Sequence, residues 1–166
     1  IVITSPRATH HTLIRGNYLQ NCAQGIDIHS DMVVCTDNIV DHGMMGVKMT
    51  HGSRNIIVSN NLLTHIDLWG ILVNPGASSE HAVPATNNAP PKASNHDSGI
   101  IIANNQITDY GYGHEYWNWG GKHEDGGSSY AITLLGKQLE ENPTLSDILI
   151  QGNMVYNTGR DGVIVD

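Results

Sequence analysis

The chain has 166 residues, of which 39% are apolar and only 14% are charged, and its net charge is −8 at pH 7. A chain of this length corresponds to a single domain. The acidic balance argues against a nucleic-acid partner, which requires a basic face. No apolar run reaches the roughly 20 residues of a membrane span, and low charge with many aliphatic residues argues against disorder.

In chain order, five copies of one unit follow one another. Each copy has alternating apolar residues, an Asn, further apolar residues, a polar stretch, and then a Gly before a short apolar strand. The first three copies are HTLIRGNYLQNCAQGIDIH, MVVCTDNIVDHGMMGVKMT and NIIVSNNLLTHIDLWGILVN. The fourth opens with GIIIANNQITDYG and resumes at SSYAITLL, and the fifth is DILIQGNMVYNTGRDGVIVD. The copies align on Asn17, Asn38, Asn61, Asn105 and Asn153.

Period-two alternation of apolar residues predicts strands with one buried face, and recurrence of the unit predicts that the copies stack. The expected fold is all-β, a single-stranded right-handed parallel β-helix of about five coils with three short strands per coil. Along the stack, the aligned Asn side chains are expected to hydrogen-bond to one another and to tolerate left-handed backbone at tight corners. A leucine-rich repeat is disfavoured because the Leu spacing is absent, and a β-sandwich because Asn and Gly keep one register.

Residues 1–166 are predicted to form one such domain and to be a piece of a longer protein, because the sequence begins and ends within predicted strands. Three insertions interrupt the repeat, at residues 74–98, 110–129 and 136–146. Insertions into repeats map to loops and often lie on a binding face.

The second insertion is rich in aromatic residues and carries acidic groups. Aromatic rings cover the apolar face of a sugar, while carboxylates and imidazoles bind its hydroxyls, so we predict a substrate-binding loop. The alternative is that the rings pin the loop onto the domain as a small core. Trp69 is predicted to lie in a turn near the same edge. The predicted binding residues are Trp69, Tyr112, Glu115, Tyr116, Trp117 and Trp119.

Outward positions on the last strand of each repeat are predicted to form columns, which bring Asp27, His29 and Lys48 together, with His51 following directly. Abstraction of a proton beside a uronate carboxylate needs a base, a group that neutralises the carboxylate, and an acid for the leaving oxygen. These four residues form the predicted catalytic set, with His29 as base, Lys48 offsetting charge and Asp27 orienting the imidazole. The alternative is a solvated strand face with stacked opposite charges.

No metal ligands are predicted. No H-x-H or H-x-x-x-H run places two histidines on one element, which argues against a zinc site, and Cys22 and Cys35 match no metal pattern. No cofactor is required by the sequence. Acidic side chains are compatible with Ca²⁺, although neither an EF-hand nor a nonapeptide calcium repeat is present.

The repeat as a whole resembles the pectate-lyase-like right-handed parallel β-helix superfamily, which includes polysaccharide lyases, alginate C5-epimerases, glycoside hydrolases and phage tailspikes. Within it, the segment GIDIHS, residues 25–30, resembles the Asp-Pro-His signature of the alginate C5-epimerases. That resemblance implies that His29 is an acid/base group and Asp27 its partner. Ile28 replaces the Pro of the signature, and Gln24 stands where secreted members carry a Tyr that serves as the second acid/base.

The sequence thus favours an extracellular protein, secreted or on a virion surface, whose partner is a polysaccharide processed by uronate β-elimination or C5-epimerisation. The acidic net charge opposes a polyanionic substrate unless Ca²⁺ or the basic patch at Lys48 offsets it.

Two alternatives stay open. One is a non-catalytic glycan-binding tailspike or adhesin, as a homotrimer, for which Leu72, Leu135 and Ile164 offer part of an apolar contact face. The other is a glycoside hydrolase that uses two carboxylates. The candidate carboxylates are Asp27, Asp67, Asp97, Glu115, Asp125 and Asp166.

Overall fold

The computed structural model describes residues 1–3, 10–74, 96–111, 130–135, 145–158 and 162–165. These residues contain thirteen strands and no helix, so no helix in this described part could cross a membrane. The strands are β1 Val2–Ile3, β2 His10–Arg15, β3 Tyr18–Ile28, β4 Asp31–Thr36, β5 Ile39–Thr50, β6 Arg54–Ser59, β7 Leu62–Asn74, β8 Ser98–Ala103, β9 Gln106–Tyr110, β10 Tyr130–Leu134, β11 Ser146–Gln151, β12 Met154–Thr158 and β13 Val163–Val165.

Two parallel sheets contain these strands. In the sheet of eight strands, the order is β1-β3-β5-β7-β10-β13, with β9 paired to β7 and β12 paired to β9. In the sheet of five strands, the order is β11-β8-β6-β4-β2. Fully parallel pairing is typical of α/β proteins, but here the chain passes from β3 to β5 and from β5 to β7 through strands of the other sheet rather than through helices.

The prediction of a single-stranded right-handed parallel β-helix with about five coils is therefore wrong: the all-β chain forms two parallel sheets. The difference arises in β3, β5 and β7, where two segments expected as separate strands continue as one strand of 11, 12 or 13 residues. The polar stretch between those segments does not form a turn. Asp41 in this stretch pairs with Gln20 of β3 and with Thr64 of β7.

The predicted column of asparagines is confirmed. Each Nδ2 donates to Oδ1 of the next Asn, at 2.8 Å from Asn17 to Asn38, 2.9 Å from Asn38 to Asn61, 2.9 Å from Asn61 to Asn105 and 3.0 Å from Asn105 to Asn153. The same Oδ1 atoms accept backbone N–H groups, for example Asn38 Oδ1 from Asn17 N. This Asn ladder joins successive repeats where buried backbone groups would otherwise lack partners.

Left-handed backbone lies next to the Asn ladder rather than on it, which corrects the expectation for the aligned asparagines. Asn60 and Asn104, each directly before a ladder residue, have φ of 56° and 57°. Asn and Asp tolerate this conformation because a short polar side chain can hydrogen-bond locally.

One apolar core lies between the two sheets. Val33, Ile56 and Ile100 from the five-stranded sheet and Ile26 and Ile71 from the eight-stranded sheet are fully buried in it. These positions belong to the alternating apolar residues of the repeat, so the predicted inward faces are confirmed.

Glycine recurs beside this core because the strands approach closely there. A Cβ at Gly70 would lie 2.6 Å from Ile107 Cγ2 and 2.7 Å from the Ala131 carbonyl oxygen, closer than real Cβ contacts. Gly25 and Gly46 occupy the same position in the preceding repeats and would likewise meet the backbone of the next strand.

Candidate active site

The strand register brings Asp27 and Lys48 side by side. Asp27 of β3 pairs with Lys48 of β5, and Lys48 pairs with Leu72 of β7. The same column continues through Thr133 and Ile164. His29 follows β3 and His51 follows β5 directly, so both imidazoles lie at the carboxyl ends of neighbouring strands.

These four residues, Asp27, His29, Lys48 and His51, form what we call the acid/base cluster. Asp27 Oδ1 lies 2.9 Å from His29 Nε2 and 3.7 Å from Lys48 Nζ. The His29 and His51 rings are in contact, with centroids 4.2 Å apart and planes inclined at 48°. The predicted catalytic set is thus assembled around one carboxylate.

The acid/base cluster is enclosed rather than fully solvated. The Asp27 side chain is only 8% exposed, whereas His29 and Lys48 are 17% and 21% exposed. Leu72 and Thr133 of the same column are buried. This face therefore differs from the solvated strand face with stacked charges that was the alternative prediction. Leu72 is consequently not exposed, as the predicted trimer contact required.

Opposing effects act on the Asp27 carboxyl. Burial alone would raise its pKa, but the close contact with His29 and the charges of Lys48, His29 and His51 outweigh burial, so the pKa of Asp27 is lowered. Asp27 is therefore an anion at neutral pH, and it can stabilise positive charge that develops on His29.

The contact between Asp27 and His29 is short but poorly aligned. Asp27 Oδ1 and His29 Nε2 are both buried, and at 2.9 Å neither satisfies hydrogen-bond geometry. Buried polar atoms without a hydrogen bond are uncommon, and a catalytic role is one of the explanations for them. With Nε2 facing Asp27, Nδ1 is the His29 nitrogen available to a substrate proton.

The predicted binding residues are not assembled in the same way. Tyr112, Glu115, Tyr116, Trp117 and Trp119 lie outside the described residues. Trp69 is half-buried within β7, paired in register with Met45 and Tyr130, and not in the predicted turn. It lies three residues before Leu72 of the Asp27 column, on the same strand.

The candidate pair of hydrolytic carboxylates is also only partly described. Glu115, Asp125 and Asp166 lie outside the described residues. Asp97 is buried, and its Oδ1 accepts the Ser53 backbone N–H at 2.6 Å, which is a structural role. As defined, the acid/base cluster contains a single carboxylate beside three basic side chains, a composition unlike the carboxylate pair of a glycosidase.

A second polar group was missed by the sequence analysis. Asp41, His42 and His65, called here the Asp41 cluster, lie together on β5 and β7. The sequence does contain a pattern that predicts this cluster. His42 and His65 each lie four residues after a ladder Asn, so they become neighbours when the repeats stack. Histidines that meet across neighbouring strands leave no H-x-H spacing within one element.

No family model, curated protein or solved structure matches this chain. The resemblance to the pectate-lyase-like superfamily stays a prediction.

Proposed function

We propose that this protein is an extracellular polysaccharide lyase that cleaves uronate-containing chains by β-elimination at the acid/base cluster. The observation that carries the proposal is the meeting of Asp27, His29, Lys48 and His51, with a buried carboxylate 2.9 Å from one imidazole and 3.7 Å from the ammonium group. Such a set contains the base, the acid and the charge-neutralising group that elimination requires.

In the proposed reaction, His29 Nδ1 takes the C5 proton of the uronate, which lies alpha to its carboxylate. Lys48 Nζ neutralises the carboxylate, on which negative charge builds as the proton leaves. Asp27 holds Nε2 of the imidazole and stabilises the imidazolium that forms. His51 donates a proton to the glycosidic oxygen as the C4–O bond breaks and the C4–C5 double bond forms.

The contact between the two imidazoles favours elimination over epimerisation. With ring centroids 4.2 Å apart, His29 and His51 approach a bound sugar from the same side. Epimerisation requires removal of the proton from one face and return of a proton to the opposite face. In this sequence, Gln24 stands where secreted epimerases carry the Tyr that would serve the second face.

The direct test is incubation of the protein with a panel of polyuronates, including polymannuronate, polyguluronate and polygalacturonate. The expected product carries the ultraviolet absorbance of a 4,5-unsaturated uronate. His29→Gln should lower kcat by about 10²- to 10⁴-fold, the usual contribution of a general acid or base. His11→Gln, which changes an exposed histidine outside the acid/base cluster, should leave kcat unchanged.

Circular dichroism of each variant establishes that it is folded. Full activity in folded His29→Gln refutes the proposed base. New reducing ends without the ultraviolet band indicate hydrolysis instead, and deuterium incorporation at C5 without chain cleavage indicates epimerisation. Either outcome overturns the proposed lyase.

A second candidate is a non-catalytic glycan-binding module that assembles as a trimer. It is favoured by one apolar column on the outer face of the five-stranded sheet, where apolar side chains in register are exposed or half-buried. Binding of a polyuronate without cleavage, together with a trimeric mass in sedimentation equilibrium, would support this candidate over the lyase. The column consists of Leu13, Val34, Ile57, Ile101 and Leu149.

A further inference from the structure

The Asp41 cluster places three metal-ligating side chains at one point of the eight-stranded sheet. Asp41 Oδ1 lies 2.7 Å from His42 Nδ1 and 2.9 Å from His65 Nδ1. One potential ligand atom from each residue lies within 4.8 Å of the other two. The three side chains come from β5 and β7, which are adjacent and parallel.

Backbone conformation sets the direction of both imidazoles. His42 and His65 have φ of 58° and 53°, and they occupy equivalent positions in successive repeats. Equivalent backbone conformations one strand apart project the two side chains alike, and the rings stack with centroids 4.4 Å apart and planes at 19°. The nitrogens that face Asp41 are therefore held by the fold.

Hydrogen bonds also hold the carboxylate in position. Gln20 Nε2 and Tyr18 Oη donate to Asp41 Oδ2 at 3.1 and 3.2 Å, which leaves Oδ1 directed at the imidazoles. A hydrogen-bonded carboxylate is typical of a metal ligand and its outer shell.

We propose that Asp41, His42 and His65 bind a divalent transition metal of the zinc class through Asp41 Oδ1 and the two Nδ1 atoms. Two imidazole nitrogens and one carboxylate oxygen suit Zn²⁺, Co²⁺ or Ni²⁺, whereas Ca²⁺ and Mg²⁺ prefer oxygen ligands throughout. This site is separate from the acid/base cluster and does not depend on the proposed lyase activity.

The size of the site is compatible with such an ion after a small expansion. Zinc–ligand bonds of about 2.0–2.2 Å place tetrahedral ligand atoms roughly 3.3 Å apart. The contacts of 2.7 and 2.9 Å must therefore lengthen by about half an ångström when an ion lies between the imidazoles and the carboxylate. His42 and His65 are each 36% exposed, so water can supply the remaining ligand.

The test uses the full chain without an affinity tag. Calorimetric titration with ZnCl2 should give one Zn²⁺ per chain, and titration with CoCl2 should give the visible absorption bands of Co²⁺ bound by nitrogen and oxygen. His42→Asn and His65→Asn are suitable variants because Asn tolerates left-handed backbone. Each should weaken Zn²⁺ binding by at least about tenfold and remove the Co²⁺ bands.

His11→Asn is the matched control, since His11 has φ of 57° but lies outside the Asp41 cluster. It should bind Zn²⁺ like the unmodified chain, and an excess of CaCl2 should not displace the metal. Circular dichroism of each variant checks that the fold is retained. The proposal is overturned if the unmodified chain binds no Zn²⁺, or if a folded His42→Asn/His65→Asn double variant binds Zn²⁺ with unchanged affinity.

Discussion

Left-handed backbone at fixed positions of the repeat accounts for much of the Asn, Asp and His content. Thirteen described non-Gly residues have positive φ, and all but Met32 are Asn, Asp or His. Around the ladder residue Asn61, for example, they are Asn55, Asn60 and His65. These residue types adopt left-handed backbone more readily than others. The residues that shape the backbone at these positions therefore also place imidazoles and carboxylates at regular intervals.

At the residue scale, the lowered pKa of Asp27 predicts a specific loss of stability in acid. Its pKa lies below the ordinary value of 3.8 in the folded protein. The stabilisation from the ionised carboxyl is therefore present above pH 3.8 and is lost as the pH falls through the folded pKa. In Asp27→Asn, the free energy of unfolding, measured by urea titration, should decrease less over this acid range than in the unmodified chain.

A matched control is Asp37→Asn, which removes an exposed carboxyl paired with Arg15. Surface ion pairs of this kind contribute little, so the acid-induced loss of stability should resemble that of the unmodified chain. If Asp27→Asn loses stability in acid as steeply as the unmodified chain does, Asp27 is not held ionised by His29 and Lys48.

At the element scale, the Asn ladder fixes how one repeat sits on the next. Asn61 Oδ1 accepts two donors of Asn38, and Asn61 Nδ2 donates to the Cys35 carbonyl and to Asn105 Oδ1. Asn61→Ala removes these four hydrogen bonds, and a buried group that loses its partner, such as the Asn38 backbone N–H, costs about 1–3 kcal/mol. We predict a loss of at least about 2 kcal/mol in the free energy of unfolding, measured by urea titration.

Asn17→Ala provides the comparison within the same ladder. Asn17 lies at the half-buried end, where its side chain donates only one described ladder bond, to Asn38. Its replacement should cost clearly less than that of Asn61. Equal losses for the two variants would mean that the ladder does not stabilise the stack through its buried hydrogen bonds.

How strands and sheets assemble could be predicted only in part. The alternation of Val33 and Cys35 or Ile56 and Val58 is a local pattern with a period of two, and it correctly predicted which side chains are buried. The merging of two predicted strands into β5 could not be predicted in this way. Asp41 and His42 look like a turn in sequence, whereas the pairing of Asp41 with both neighbouring strands is decided by contacts between repeats.

The same distinction applies to the two candidate sites. The proximity of Asp27 and Lys48 could be predicted from sequence, because the two residues follow their ladder Asn residues at the same distance along the chain and the repeats stack in register. Their burial could not, because it depends on tertiary contacts rather than on spacing along the chain. The Asp41 cluster was missed because His42 and His65 have left-handed backbone and lie on different strands, a combination that no spacing within one strand indicates.

At the scale of the whole molecule, both candidate sites depend on the register of parallel strands that are distant in sequence. Asp27 meets Lys48, and His42 meets His65, only if equivalent residues of successive repeats are neighbours. A shift by one residue would direct the side chains of a strand to the opposite face. The proposed lyase site and the proposed metal site therefore both depend on this register.

Cysteine cross-linking between β4 and β6 tests this register most directly. Thr36 pairs with Ser59, and their hydroxyl oxygens are 3.3 Å apart. In a Cys22→Ser background, which removes the half-buried free thiol, the pair Thr36→Cys/Ser59→Cys should form a disulfide in mild oxidant, because adjacent strands lie about 4.8 Å apart. Peptide mapping by mass spectrometry identifies the linkage.

The off-register pair Thr36→Cys/Ile57→Cys places the two Cα atoms roughly 8 Å apart, beyond disulfide reach, and should stay reduced. A disulfide in the Thr36–Ser59 pair and none in the Thr36–Ile57 pair is the result that the structure predicts. The reverse pattern, or equal oxidation of both pairs, would contradict the register and with it both candidate sites.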